Sequence, residues 1–163
     1  HYALKQLEEC APETTIITQN IDGLHRKAGT THLIELHGNI HRARCLPEDK
    51  SLLDWDYKAD IPLCPDCGGR LRPDVVWFGE PLPNEELAYA VRCSRECDLF
   101  LSIGTSGLIE PAASLAYEAL RCGAKVIEIN LEATPLTVYA THVFTGRAKS
   151  ILPPLIEWMI TSR

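Results

Sequence analysis

Asp98-Leu99-Phe100-Leu101-Ser102-Ile103-Gly104, the alanine-rich run Pro111 to Arg121, and Lys125-Val126-Ile127-Glu128-Ile129-Asn130 decide the fold. The first segment reads as a buried strand running into a glycine turn. The second reads as a helix with proline in its first turn, where a missing N–H is tolerated. Cys122-Gly123 supplies its C-cap. The third is another strand. Strand, helix, strand in this order predicts a parallel α/β sheet with crossover helices. Ligands of such sheets bind at the carboxyl ends of strands. That rule singles out Gly104 to Ser106 and Asn130.

Upstream, Glu85 to Arg95 predicts a helix, and Val75-Val76-Trp77-Phe78-Gly79-Glu80 an extended apolar segment stopped by Gly79. Leu33 to Gly38 and the β-branched run Thr14 to Thr18 read as short strands. The polar turn Gln19-Asn20-Ile21-Asp22 falls at the second one's carboxyl end. Tyr2 to Glu9 has helical apolar spacing and is closed by Pro12. Downstream, His142 to Phe144 is a last short strand. Leu152 to Met159 is a terminal helix begun by Pro153-Pro154. From Asn39 to Arg72 the texture changes to cysteine, proline and few apolar runs, which predicts a small irregular module.

The chain has 163 residues, 45% hydrophobic and 23% charged, enough for one domain with a real core. Sixteen Lys and Arg against 22 Asp and Glu give a formal charge of -6, which lacks the basic footprint of a nucleic-acid binder. No apolar run reaches the roughly 18 residues of a membrane span, and no secretory leader opens the chain. It starts at His1 and its one methionine is Met159, so a piece of a longer chain is expected.

Seven cysteines without a leader favour metal or redox chemistry over disulfides. Cys64-Pro65-Asp66-Cys67-Gly68-Gly69 is a zinc-knuckle sequence, and Cys45 lies at a plausible distance upstream. Glu48 or Asp49 could complete the set, with Asp54, Asp56 and His41 as weaker candidates; a metal-free module is the alternative. Cys10, Cys93, Cys97 and Cys122 read as structural. Gly104-Thr105-Ser106-Gly107 suits a phosphate, because glycines admit close approach and hydroxyls and N–H groups donate. A plain βα loop would look the same. Asn130 suits a ribose hydroxyl, or simply ends its strand through local hydrogen bonds. His37, followed by Gly38, would present an imidazole able to exchange a proton near neutral pH.

Taken in order, Thr18-Gln19-Asn20-Ile21-Asp22-Gly23-Leu24-His25, Leu36-His37-Gly38, Cys-x-x-Cys, Val75-Val76-Trp77-Phe78-Gly79-Glu80, Gly104-Thr105-Ser106 and Asn130 resemble the sirtuin family from end to end. The resemblance implies a Rossmann-like NAD-binding domain over residues 1–40 and 74–163 with an inserted zinc-ribbon module over 41–73. It implies an NAD-dependent protein-lysine deacylase. In that reaction the acyl oxygen of an acylated lysine attacks the ribose carbon bearing nicotinamide. A histidine base then activates a ribose hydroxyl, and lysine, nicotinamide and O-acyl-ADP-ribose result. His37 matches that base.

Gln19, Asn20 and Asp22 match the nicotinamide and ribose pocket. Gly104, Thr105 and Ser106 match the adenosine and phosphate loop, and Asn130, Leu131 and Glu132 the adenosine ribose contact. Ala148 matches the position facing adenine. Val75, Val76, Phe78, Gly79 and Glu80 match the segment that takes the substrate peptide as an added strand. Cys45, Cys64 and Cys67 match structural zinc ligands, while Glu48 stands where the family has its fourth cysteine. The wording Val-Val-Trp-Phe-Gly-Glu is similar to the branch that often prefers succinyl- or malonyl-lysine, whose Tyr and Arg specificity pair lies upstream of this chain. The first Rossmann strand, its glycine motif and the cofactor loop lie there too, so the sheet here is expected to be incomplete and these residues alone to show little activity. Expected partners are acylated lysines in proteins or peptides, with no direct nucleic-acid or membrane contact, and the default compartment is the cytoplasm. Rival readings are ADP-ribosyl transfer to protein, a non-catalytic NAD-binding protein, and a zinc-ribbon nucleic-acid module using His41, Arg42, Arg44, Arg70 and Arg72.

Overall fold

A computed structural model describes every residue except Pro12, Asp54, Tyr57 and Arg163. The expected helix stop at Pro12 and the candidate ligand Asp54 lie outside the described residues. In chain order the elements are α1 (Tyr2–Cys10), β1 (Ile16–Thr18), α2 (Leu24–Lys27), β2 (Leu33–Glu35), β3 (Gly38–Cys45), β4 (Lys50–Leu52), β5 (Leu71–Val75), α3 (Asn84–Glu96), β6 (Leu99–Ile103), α4 (Ser114–Arg121), β7 (Lys125–Asn130), β8 (His142–Thr145) and α5 (Ala148–Thr161).

The expected parallel architecture is present. β1 pairs in parallel with β2, and β6, β7 and β8 form a parallel sheet in that order. β7 carries apolar residues on both of its faces, since both are covered. Val126 packs against Ala116 and Ala119 of α4 and against Leu136. Ile129, on the opposite face, packs with Ala3, Leu4 and Leu7 of α1 and Leu152 and Ile156 of α5. A third cluster sets Ile34 and Leu36 against Ala90 of α3 and Leu115 of α4. Leu36, Val126, Ile129 and Ile156 are fully buried, and each contributes about 1.5–3 kcal/mol by leaving water. Glu128 is also buried in β7, where the hydroxyls of Thr134 and Thr137 donate to its carboxylate.

Three elements depart from expectation. α5 starts at Ala148 and holds Pro153 and Pro154 inside it, rather than beginning at them. Both prolines are exposed, and burial of Leu152 and Ile156 on α1 offsets the two ladder bonds they forgo. α4 starts at Ser114, after a turn over 111–113. The stretch from Asn39 to Arg72 is more regular than its composition suggests. Within it and at its borders runs an antiparallel sheet, β4-β3-β5, over a small core of Ala43, Cys45, Cys64 and Leu71. Its arginines obscure the strand pattern because their partners are distant in sequence.

β3 leaves β2 after only two residues, and Gly38 makes that close passage possible. It pairs with Val75 at φ +78, and a Cβ there would lie 2.1 Å from the Asp74 carbonyl oxygen.

Candidate active site

Backbone hydrogen bonds fix the turn at His37 between two segments. The Leu36 N–H donates to the Thr18 carbonyl at 3.0 Å, and the Ile40 N–H to the Ile21 carbonyl at 2.9 Å. The loop carrying Gln19 and Asn20 therefore runs beside the His37-Gly38 turn. On the other side the Val76 N–H donates to the His37 carbonyl at 3.0 Å. The imidazole is half-buried, and its Nδ1 is buried without a hydrogen bond in the protein. Burial lowers its pKa from the ordinary histidine value, so the ring is neutral and able to accept a proton at pH 7.

A buried ionic network braces this turn from one side. Glu35, two residues before His37, accepts from Arg26 Nε and Nη2 at 3.1 and 2.9 Å, Arg42 Nη1 at 2.8 Å and Asn39 Nδ2 at 2.7 Å. Arg42 Nε and Ser51 Oγ donate to Asp74 at 2.9 and 2.7 Å, which carries the network into β4 and β5. Burial alone would raise the Glu35 carboxyl, but hydrogen bonds from Arg26 and Asn39 and the charges of both arginines hold it below its usual range. Of these residues the sequence singled out only Arg42, as a candidate nucleic-acid contact, whereas here it is bonded to Glu35 and Asp74. The available signal was a carboxylate inside the apolar strand Leu33-Ile34-Glu35-Leu36, which demands buried partners.

The other expected cofactor residues gather at the carboxyl ends of parallel strands. Gln19 Nε2 donates to Thr105 Oγ1 at 3.3 Å, and Asn130 Nδ2 donates to the Thr105 carbonyl at 2.7 Å. Asn130 Oδ1 accepts the Leu131 N–H at 2.8 Å, so this half-buried side chain ties the loop after β7 to the loop after β6. The Gly146 N–H donates to the Asn130 carbonyl at 2.8 Å, which brings Ala148, the first residue of α5, to the same edge. Gly104 and Ser106 are exposed, as are Leu131 and Glu132. A Cβ on Gly104 would meet nothing within 4 Å, so the loop borders open space. Asn20 is exposed, whereas Asp22 is half-buried and its Oδ1 accepts the Leu24 N–H at 3.0 Å, holding the start of α2. Amides, hydroxyls and N–H groups thus converge from four separate segments, a donor set that suits a nucleotide's carboxamide, ribose and phosphate groups.

The segment expected to receive a peptide is extended only at its beginning. Val75 ends β5 and Val76 is half-buried, but Trp77 to Glu80 turns back on itself. The Glu80 N–H donates to the Trp77 carbonyl at 3.0 Å, and the Trp77 N–H donates to Glu80 Oε2 at 3.0 Å. Arg72 grips the Glu80 carboxylate with both Nη atoms at 2.7 and 2.9 Å and lies 4.7 Å over the Trp77 ring. That ion pair, first among the causes, holds the Glu80 carboxyl down to about 2. Phe78 is fully exposed and Gly79 sits at φ +89 at the tip of this clamped turn.

Cys45, Cys64 and Cys67 come together with Glu48, their ligand atoms all within 4.8 Å of one another. Cys45 and Cys64 are buried. The Gly69 N–H lowers the Cys67 thiol, but hydrogen bonding with Cys45, burial and Cys64 outweigh it and push it up to about 11. Three sulfurs held this close together can share one cation. This donor set fits Zn2+, which takes thiolates and carboxylates in a tetrahedron. A core of four buried residues also needs such a staple.

The Sir2 family's sequence profile matches residues 1–111. The NAD-dependent protein deacylase of Pyrococcus abyssi is 47% identical over 164 residues, covering 96% of this chain and 66% of that protein. NAD-dependent protein deacylase 2 of Pyrobaculum aerophilum is 47% identical over 158 residues, covering 96% and 64%. Among solved structures, a Sir2 homologue in complex with NAD superposes with a TM-score of 0.90 at 36% identity, covering 99% of this chain and 64% of that one. Sir2 bound to acetylated peptide gives 0.86 at 34% identity, covering 96% and 68%. The chain therefore spans about two thirds of the length of these relatives. With its motifs in order, its strand-end cluster assembled and its fold shared over nearly its whole length, the chain belongs to the Sir2 family.

Proposed function

We propose that the protein acts as an NAD-dependent protein-lysine deacylase that moves the acyl group of a lysine onto ADP-ribose and releases nicotinamide. The observation that carries this reading is the placement of His37. Its carbonyl accepts the Val76 N–H, and Leu36 before it and Ile40 after it donate to Thr18 and Ile21, on either side of Gln19 and Asn20. A base held there stands between the two substrates. Relatives named as NAD-dependent deacylases support the reading, as do Sir2 homologues solved with NAD, with 2'-O-acetyl-ADP-ribose and with acetylated peptide.

In this reading NAD is a consumed substrate. Gln19 and Asn20 orient its nicotinamide end, while Gly104, Thr105, Ser106 and Asn130 hold the adenosine side. The carbon–nitrogen bond to nicotinamide breaks as the acyl oxygen bonds to the ribose carbon. His37 then accepts the proton of a ribose hydroxyl as that oxygen attacks the acyl carbon. The acyl carbon–nitrogen bond breaks, the amine takes up a proton and leaves as lysine, and one water adds to what remains to give O-acyl-ADP-ribose. The base needs its neutral form, which burial favours. Val75 and Val76 align the peptide backbone, and Phe78 to Glu80 form the wall at its end.

The test is His37→Gln in a protein of the relatives' full length that carries these residues, assayed with an acyl-lysine peptide and NAD and following O-acyl-ADP-ribose by mass spectrometry. Loss of product by about 10²-fold or more, with NAD binding kept, is expected. Undiminished product formation would overturn the assignment. Transfer of ADP-ribose label to protein in place of acyl transfer would favour the ADP-ribosyltransferase reading.

A further inference from the structure

The two turns that meet at the cysteine cluster have the same backbone. In the first, the Asp49 N–H donates to the Cys45 carbonyl at 2.8 Å, and Asp49 sits at φ +51. In the second, the Gly68 N–H donates to the Cys64 carbonyl at 2.9 Å, and Gly68 sits at φ +70. Each turn has a cysteine at its first position and a left-handed residue at its fifth. The fourth position is Cys67 in the second turn and Glu48 in the first. Asp49 is the one described non-glycine residue with a positive φ, which shows how firmly the first turn keeps this form.

The turns are also locked together. The Leu46 N–H donates to the Arg70 carbonyl at 3.1 Å, and Pro47 lies against Gly69, where a Cβ would come within 2.4 Å of the proline ring. Competing donors point elsewhere. Asp49 accepts Arg44 Nε at 2.6 Å, and the His41 ring is bonded to the Asp22 carbonyl at 3.2 Å. Asp66 is paired with Lys50. Lys50 Nζ also lies 2.9 Å from Glu48 Oε2, which leaves the other Glu48 oxygen for a metal.

We propose that Glu48 is the fourth ligand of a three-cysteine, one-carboxylate zinc site, with Lys50 holding its second oxygen. The assignment does not depend on the reaction proposed above. A carboxylate oxygen bonds zinc at about 2.0–2.2 Å beside thiolates at about 2.3 Å, so the cluster needs only modest contraction to close. An oxygen donor is harder than a thiolate, so the site gives up its metal more readily than a four-cysteine site would.

The test is zinc affinity by chelator competition on the purified protein, with cobalt substitution and X-ray absorption as spectroscopic readouts. Absorption of the zinc form should show three sulfurs and one oxygen. Glu48→Ala should weaken zinc binding about 10- to 100-fold, and Asp49→Ala by less than about threefold. Glu48→Cys should tighten it and raise the cobalt–sulfur charge-transfer intensity by about a third, as three thiolates become four. Zinc affinity unchanged in Glu48→Ala, or a stronger loss in Asp49→Ala, overturns the assignment. Should Glu48→Ala not fold, an unchanged cobalt spectrum in Glu48→Cys does the same.

Discussion

Gly38→Ala is the substitution whose cost the geometry defines best. Two penalties add. The first is torsional: an L residue at φ +78 is disfavoured by about 1–2 kcal/mol. The second is a collision, because the new Cβ would lie 2.1 Å from the Asp74 carbonyl oxygen, 2.9 Å from its carbon and 3.1 Å from the Val75 Cα. All three are backbone atoms, so no rotamer change relieves them. An ordinary carbon–oxygen contact needs roughly 1 Å more, so β5 must separate from β3 at this point. That weakens the Gly38 to Val75 pairing and the bond from Val76 to His37, about 1 kcal/mol each. The expected destabilisation is about 3–4 kcal/mol. Gly123→Ala is the matched control, since Gly123 sits at φ +93 with nothing within 4 Å of the added carbon. It should cost only the torsional part. Denaturant unfolding followed by circular dichroism measures both. In a protein of the relatives' full length, the deacylation proposed above should fall by about 100-fold in Gly38→Ala, as expected for a 1 Å displacement of a reacting group, and change little in Gly123→Ala. Equal destabilisation by the two substitutions, or full activity in Gly38→Ala, would refute the close-passage argument.

Glu8 ties α1 to the segment before β2 through hydrogen bonds from the Thr31 and His32 N–H groups, the Thr31 hydroxyl and Lys5. Burial would raise its carboxyl, but these donors hold it down to about 2. Its folded value lies below its unfolded one, so its stabilisation is present above about pH 4.5 and is lost as pH falls toward 2. Glu8→Gln should therefore lose roughly 3 kcal/mol at pH 7, with the difference from the parent protein closing across that acid window; a constant difference with pH would count against it. Glu128→Ala removes the acceptor shared by Thr134 and Thr137, and should cost about 2–3 kcal/mol and speed amide exchange in residues 134–139; unchanged exchange there would show that the clasp is idle. For the reaction itself, burial lowers the His37 pKa, so the acid limb of kcat/KM against pH should fall below the free-histidine value of about 6.5 and disappear in His37→Gln.

What was legible in the sequence were the features set by local pattern. β6, α4 and β7 announce themselves because β7 is covered on both faces and α4 is built from good helix formers. The strand-end clusters at Gln19, Gly104 and Asn130 follow from the same rule about carboxyl ends, and the contacts of Thr105 join them. What was not legible depends on partners far along the chain. Arg42, Arg44 and Arg72 look like a basic stripe, yet Glu35, Asp74, Asp49 and Glu80 take up their charges. The turn at Trp77 hides inside an apolar run because its closing residue, Glu80, needs Arg72 across β5. Glu48 and Asp49 are equal candidates for the metal in sequence, and only the turn geometry beside Cys67 separates them.

The pairing of Gly38 with Val75 has an evolutionary consequence. The whole excursion through β3, β4, the cysteine turns and β5 leaves and returns at adjacent points, one strand spacing apart. To the parallel layer it is an ornamented hairpin. Material can be added or trimmed at its far end without moving the two stems, and doubling such a loop costs only about 0.6 kcal/mol in closure entropy. A lineage could thus vary the outer part of this excursion freely, while His37, at its base, kept the same neighbours.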